Sequence, residues 1–355
     1  MTIDQIAKLA KVSKSAVSLA LNNKPGVSEA TRNTILEIAK ANGYIPRVMI
    51  KADQVYDPVK VIRVVAFAKQ EVVHEGYHHE PFFSELISGL EEENRKQGYT
   101  LFFSTIRGNH FLSELQSLEQ EFQSRGILVI GTNLSEEEAL MIYEAYPTSV
   151  ILDTCYPHIP GNFVVMNNLL GGSQAAKYLI SQGHRSIGYV ESNVRINNFD
   201  ERKRAFIHEI ERNGLALLQS NVFQVSPIME KAQNEFFFQL ERRDKMPTVL
   251  FCESDNIAIG VLKALQKHGL SVPEDISIMG FDNIPHCTIV SPTLTSIRVE
   301  KDVMGSEAIK KLIQLIEVPH THQEASKSQD SLPPANTKII IDTTISERES
   351  VKSLV

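Results

Sequence analysis

The 355-residue sequence predicts a small helical head joined to a two-part α/β body, and three observations carry that expectation. Residues 1 to 51 hold eight Lys and Arg against three acids, while residues 52 to 355 hold 28 basic and 40 acidic side chains, so a head at +5 precedes a body at −12. Within the head, helical periodicity is broken by two tight turns. Beyond Val61, short β-branched runs alternate with amphipathic helices, and the alternation restarts after Asp153. The length fits two or three domains at roughly 100 to 200 residues each.

In the head, Thr2 and Gln5 have the spacing of a capping box, and Ile6, Leu9 and Ala10 recur on one face of a first helix. Ser13 can cap a second helix, with Ala16, Val17, Ala20 and Leu21 inward and Lys14, Ser15, Ser18, Leu19 and Asn22 outward. Pro25-Gly26 makes a turn, Ser28 caps a third helix carrying Ile35, Leu36, Ile38 and Ala39, and Gly43 is placed to end it. Three short helices bury little surface, but their order is that of a helix-turn-helix, and the positive charge suits a polyanion.

In the body, the run Ile62 to Phe67 precedes a helix from Phe82 to Gln97, then Thr100 to Phe103, a helix from Glu114 to Arg125, and Gly126 to Ile130. After Asp153, Phe163 to Val165 precedes Gly171 to Gln182, Ser186 to Val190 precedes Arg202 to Asn213, and Thr248 to Phe251 precedes Asn256 to His268. Strand alternating with helix means a parallel, doubly wound sheet. Two such halves place a ligand between them, at the carboxyl ends of the strands.

Composition narrows the function classes. With 42% apolar and 22% charged residues the chain is an ordinary globular sequence, and no apolar run approaches the roughly 20 residues that span a bilayer. Asp4 stands where a signal peptide carries positive charge and no apolar core follows, so the expected compartment is the cytoplasm. Cys155, Cys252 and Cys287 include no C-x-x-C pair and read as reduced thiols. His320 and His322 lack further ligands, so neither a metal nor a cofactor is expected. An enzyme is not expected either: Phe67-Ala68-Lys69-Gln70 follows the first strand where a Gly-rich phosphate loop would stand, and no nucleophile elbow occurs.

The runs Thr2 to Ala10, Val12 to Ser18, Leu21-Asn22, Lys24 to Ser28 and Gly43 to Pro46 resemble the head of the lactose-repressor/galactose-repressor (LacI/GalR) family. Pro81 to Gly89, Asn167-Asn168 ahead of Gly171-Gly172, Gly183 to Ile187, Val272 to Asn283, Leu294 to Ile297 and Arg348-Glu349-Ser350 resemble its core in the same order. The resemblance implies a helix-turn-helix domain over 1–46, a hinge or linker over 47–59, and a type I periplasmic-binding-protein-like core over 60–355. Its first half would take about 60–162 and 293–322, and its second about 163–290 and 326–350, with Val318 to Lys338 reading as a loop.

The resemblance further implies a DNA-binding regulator, most simply a repressor, acting as a homodimer on a pseudo-palindromic duplex operator under control of a small molecule. Lys14, Ser15 and Leu19 would read bases from the major groove, with Ala16 beside them, while Ser18, Asn22, Ser28 and Thr31 would contact phosphate or sugar. Leu19 stands where many members have Arg, and Lys11 where they have Gly. The hinge wedge falls on Asp53, a poor minor-groove residue, which leaves Met49, Ile50 or an unkinked DNA as alternatives. Phe82, Phe83, Asn167, Arg202 and Asp282 would line the effector cleft, with Phe223 a weaker candidate, and their chemistry suits a carbohydrate. A purine-type corepressor, a solute-binding protein with no DNA role, and either sign of response stay open. Only Val351 to Val355 follow Arg-Glu-Ser, too little for a heptad tail, so a dimer rather than a tetramer is expected.

Overall fold

The structure, a computed structural model, describes residues 3–21, 26–41, 60–69, 72–73, 76–107, 110–243, 245–317 and 335–355. The chain divides into two compact units, Met1–Pro58 and Val59–Val355. In the first, α1 (Ile3–Ala10), α2 (Lys14–Leu21) and α3 (Glu29–Ala41) enclose Ile6, Ala7, Val17, Ala20, Leu21, Ile35 and Ala39. Ser13 accepts from the Ala16 amide (3.2 Å) and Ser28 from the Thr31 amide (3.3 Å), so both caps read from the sequence form. Ala16, expected inward, is only half-buried. Lys11 occupies the turn between α1 and α2 with φ +53°, in the left-handed region. Gly43 and the hinge positions Met49, Ile50 and Asp53 lie outside the described residues.

The second unit begins with β1 (Val61–Ala68), α4 (Pro81–Gln97), β2 (Thr100–Arg107), α5 (Phe111–Glu121), β3 (Gly126–Ile130), α6 (Glu136–Ala145), β4 (Val150–Leu152) and β5 (Asn162–Met166). It continues with α7 (Asn168–Ser181), β6 (Ile187–Ser192), α8 (Asn197–Arg212), β7 (Val222–Val225), α9 (Met229–Leu240), β8 (Val249–Cys252), α10 (Asp255–His268) and β9 (Ser277–Asp282). Last come β10 (Thr295–Arg298), α11 (Lys301–Glu317), β11 (Lys338–Ile341) and β12 (Thr344–Ser346). Two six-stranded sheets result, ordered β11-β5-β4-β3-β1-β2 and β12-β10-β9-β8-β6-β7. Among the described strands all pairings within the two sheets are parallel except β10 with β12.

Strand β1 is buried almost end to end, as a central parallel strand requires. Its one charge, Arg63, is fully enclosed and donates to Glu119 (2.5 Å), Ser104 and the Leu118 and Phe122 carbonyls, so the cation is paired rather than stranded. Among the described residues no helix is long and apolar enough to cross a membrane.

The expected boundaries between halves need correction. Strand β5 pairs with β4, so the first crossing follows Met166 rather than preceding Phe163. Strand β10 pairs with β9, so residues 295–298 belong to the second half, and β11, inside the expected loop, joins β5 in the first. Which sheet a short apolar strand joins is decided by tertiary pairing, which periodicity does not record. Residues 318–334 of that loop, with His320 and His322, lie outside the described residues.

Candidate effector cleft and DNA-reading surface

A cavity of about 670 Å³ opens between the two halves of the core, at the carboxyl ends of the strands. The first half contributes Thr132 and Asp153, which follow β3 and β4, and Phe82 and Phe83 at the start of α4. From the second half come Asn198, Phe199 and Arg202 of α8, Ser254 and Asn256 beside β8, Asp282 at the end of β9, and the apolar rim Pro227-Ile228-Met229.

Arg202 organises the floor. Its guanidinium donates from Nε to Asn168 Oδ1 (2.9 Å), from Nη1 to the Glu253 carbonyl (2.6 Å) and from Nη2 to Asp282 Oδ1 (3.3 Å), and it lies 3.6 Å from the centroid of the Phe281 ring. Helix α7 can approach because of Gly171 and Gly172: a Cβ on the former would meet the Phe281 ring at 2.6 Å, and on the latter the Arg202 carbonyl at 2.4 Å. Asp282 has φ +109° and Asn283 φ +52°. Their carbonyls accept from buried Lys301 (2.7 and 3.3 Å), and Asp255 accepts from the next amide, Ile284 (2.9 Å), so the strained turn is held on both sides.

Asp153, with φ +70°, faces this cluster from the other half. It accepts from Thr132 (2.5 Å), and the Asn198 amide bridges the halves to its carbonyl (2.8 Å) and carboxylate (3.3 Å). Burial pushes the Asp153 carboxyl up to about 7 against the pull of Thr132 and Arg202. Burial also raises Asp282, with Arg202 and then Lys301 opposing it. Two carboxyls with raised affinity for protons, one fixed guanidinium and aromatic side walls can donate to and accept from a ring of hydroxyls.

The structure therefore brings Phe82, Phe83, Arg202 and Asp282 to one cavity. Phe83 is the more buried of the aromatic pair, edge-on to Tyr77 (5.6 Å) and to Phe82 (5.2 Å). Asn167 is placed elsewhere: it caps α7, accepting from the Leu170 amide (3.0 Å), and donates to Asp342 (2.8 Å). Its neighbour Asn168 is the buried one that holds Arg202. Phe223 is core, enclosed beneath α9 against Phe236 (5.0 Å). Asp153, Thr132 and Asn198 are cleft residues that the sequence reading did not single out. Helix α8 starts at Asn197, not Arg202, and the i, i+4 relation of Asn198 to Arg202 was the available signal.

In the head, Lys14 and Ser15 are exposed on α2, and Ser18 and Leu19 are half-buried. Leu19 Cδ1 lies 3.3 Å from where a Cβ on Gly26 would stand, so this side chain leans on the following turn. The Ser28 and Thr31 hydroxyls are 2.8 Å apart within the cap of α3. Arg32, missed in the sequence, donates to the Ala20 carbonyl (3.2 Å) and closes the end of α2. Asn22 lies outside the described residues.

Family models for bacterial regulatory proteins of the lacI family and for a periplasmic binding protein-like domain match residues 2–47 and 176–351. The HTH-type transcriptional repressor PurR of Aliivibrio salmonicida is 30% identical over 90% of this chain and 93% of its own. The chain belongs to the LacI family. The ribose operon repressor of Haemophilus influenzae is 27% identical over 99% of both chains. A structure of the Lac repressor dimer bound to operator and the anti-inducer ONPF superposes with TM-score 0.69 at 17% identity, covering 99% of each chain, and shares the fold. This LacI-family protein is a transcriptional repressor with an effector-binding core, not an enzyme.

Proposed function

We propose that this repressor binds a pseudo-palindromic operator as a homodimer in the cytoplasm and is controlled by a sugar or sugar derivative held in the cleft. The observation that carries the effector class is the cleft floor, where Asp153 and Asp282, one from each half, flank the fixed Arg202 beneath aromatic walls. Such a set matches vicinal hydroxyls and one apolar ring face. The name of the Haemophilus influenzae relative, a ribose operon repressor, supports the same class. Binding would shift the core between two arrangements and so change how paired heads meet DNA. Exposed Phe102, Phe103 and Phe122 beside the edge strand β2 support a two-copy assembly, since apolar surface of this kind favours a partner.

A thermal-shift panel of pentoses, hexoses, disaccharides, sugar phosphates, purine bases and nucleosides tests the class. A ligand at 100 times its dissociation constant should add about 2.7 kcal/mol. Stabilisation by a sugar is the expected result, and stabilisation by a purine base alone would overturn the carbohydrate reading.

Lys14, Ser15, Ala16 and Leu19 are the proposed base-reading patch of α2, with Ser18, Asn22, Ser28 and Thr31 on the backbone. The +5 head supplies the affinity, since the −12 body repels phosphate. Leu19→Arg should shift the selected operator at one symmetric position per half-site, with about 1–3 kcal/mol of discrimination for guanine. Identical consensus sequences from both proteins in a selection experiment would remove α2 from the reading role.

A further inference from the structure

The turn of the helix-turn-helix holds a feature that base reading leaves unused. A shallow groove is bordered by Ala7, Lys8, Lys11, Val12, Ser13 and Lys14. Lys8 lies in the last turn of α1, Lys11 is the turn residue, and Lys14 opens α2, so three lysines from successive elements border one concavity. Lys8 and Lys11 are exposed, and among the described residues no ion pair involves either of them. Exposed cations bordering one concavity make it a favourable seat for an anion.

Lys11 sharpens the point. Its φ of +53° is a conformation that a Cβ disfavours and glycine accepts freely. The backbone there is tied by the Val12 amide to the Ala7 carbonyl (3.0 Å), so the left-handed geometry is fixed by the turn. A lysine kept where glycine would relieve the strain points to a use for its ammonium group.

We propose that this groove seats a backbone phosphate of duplex DNA beside the base-reading face, with Lys8 and Lys11 as its cations and Lys14 bridging the groove to that face. The proposal rests on the head being the DNA-binding unit. Such a contact carries no sequence information; it adds affinity and fixes register.

The test uses the full chain and a random-sequence duplex of about 30 base pairs, with affinity followed by anisotropy across a salt series. Lys8→Gln and Lys11→Gln should each make the log–log salt slope shallower, and the double variant should lose about 0.9 per head, the share of one phosphate. Lys11→Gly discriminates between seat and scaffold. It should lose the same slope as Lys11→Gln while amide exchange in α1 and α2 slows about two- to fivefold, because the strain is relieved as the contact is lost. Slopes for both lysine variants equal to wild type would overturn the seat. Wild-type binding with no salt dependence is a separate outcome, and it would overturn the assignment of DNA binding to the head along with the seat.

Discussion

The two walls of the cleft are built from sheets of the same strand order, yet they hold their functional groups in different ways. In the second half, Arg202 is pinned by Asn168, the Glu253 carbonyl, Asp282 and the Phe281 ring, and Asp282 sits in a strained turn held by Lys301 and Asp255. The first half presents Asp153 on one hydroxyl and one amide, and Phe82 half-buried at the start of a helix. One wall is cross-bonded at many points and the other at few, so the first is the better template for orienting a bound molecule.

Removing the template should have the largest effect. Arg202→Ala removes the cation bonded to Asp282 and strips Asn168 and the Glu253 carbonyl of their donor, and it should cost about 3–5 kcal/mol of stability in chemical denaturation. Asp282→Ala is gentler on the fold, because Arg202 keeps its bonds to Asn168 and the Glu253 carbonyl. Its loss should appear in effector affinity, by about 2–4 kcal/mol, roughly 30- to 1000-fold by calorimetry. Equal stability losses in the two variants would erase the distinction between template and ligand contact.

Asp153 gives the comparison a pH signature. Its carboxyl, raised to about 7 in the fold from an unfolded value near 3.8, binds a proton more tightly when folded. Its contribution to stability is therefore present below about pH 4 and lost as pH rises through about 7, the reverse of a salt-bridged aspartate. Asp153→Asn should gain stability relative to wild type between pH 5 and 7.5, by no more than about 1.4 kcal/mol per pH unit. A pH-independent difference would show that Asp153 is ionised throughout that range.

Smaller effects belong to the edges of the site. Phe82→Ala should weaken effector binding by about 0.5–1.5 kcal/mol while barely moving the unfolding midpoint, since the ring is only half-buried. Asn167→Ala should cost about 1 kcal/mol of stability as a lost helix cap and leave effector affinity within about twofold. A tenfold loss of affinity there would return Asn167 to the cleft.

Much of this was legible in the sequence, and the failures share a cause. Local rules located what local chemistry fixes: the Ser13 and Ser28 caps and the β-branched run of β1. Of the adjacent Asn167 and Asn168, one caps and one faces inward, and only the direction of α7 decides which. Asp153 follows a three-residue strand and Asn198 precedes the charged run of α8, so neither stands out until the halves are brought together. The sheets' outer strands, β11 and β12, are short and similar in pattern, and pairing alone assigns them.

Those outer strands also set the order in which a nascent chain can mature. Both sheets receive an edge strand from the stretch Lys338 to Ser346, so neither half of the core is complete until that stretch has been made. Among the described residues, the apolar cluster of the head is made of α1, α2 and α3 side chains alone. At about 5–20 residues per second, the head can fold many seconds before the core that governs it. A ribosome-stalled or prematurely terminated chain ending before Lys338 would therefore carry its three-helix head without the two edge strands that complete the sheets of the core.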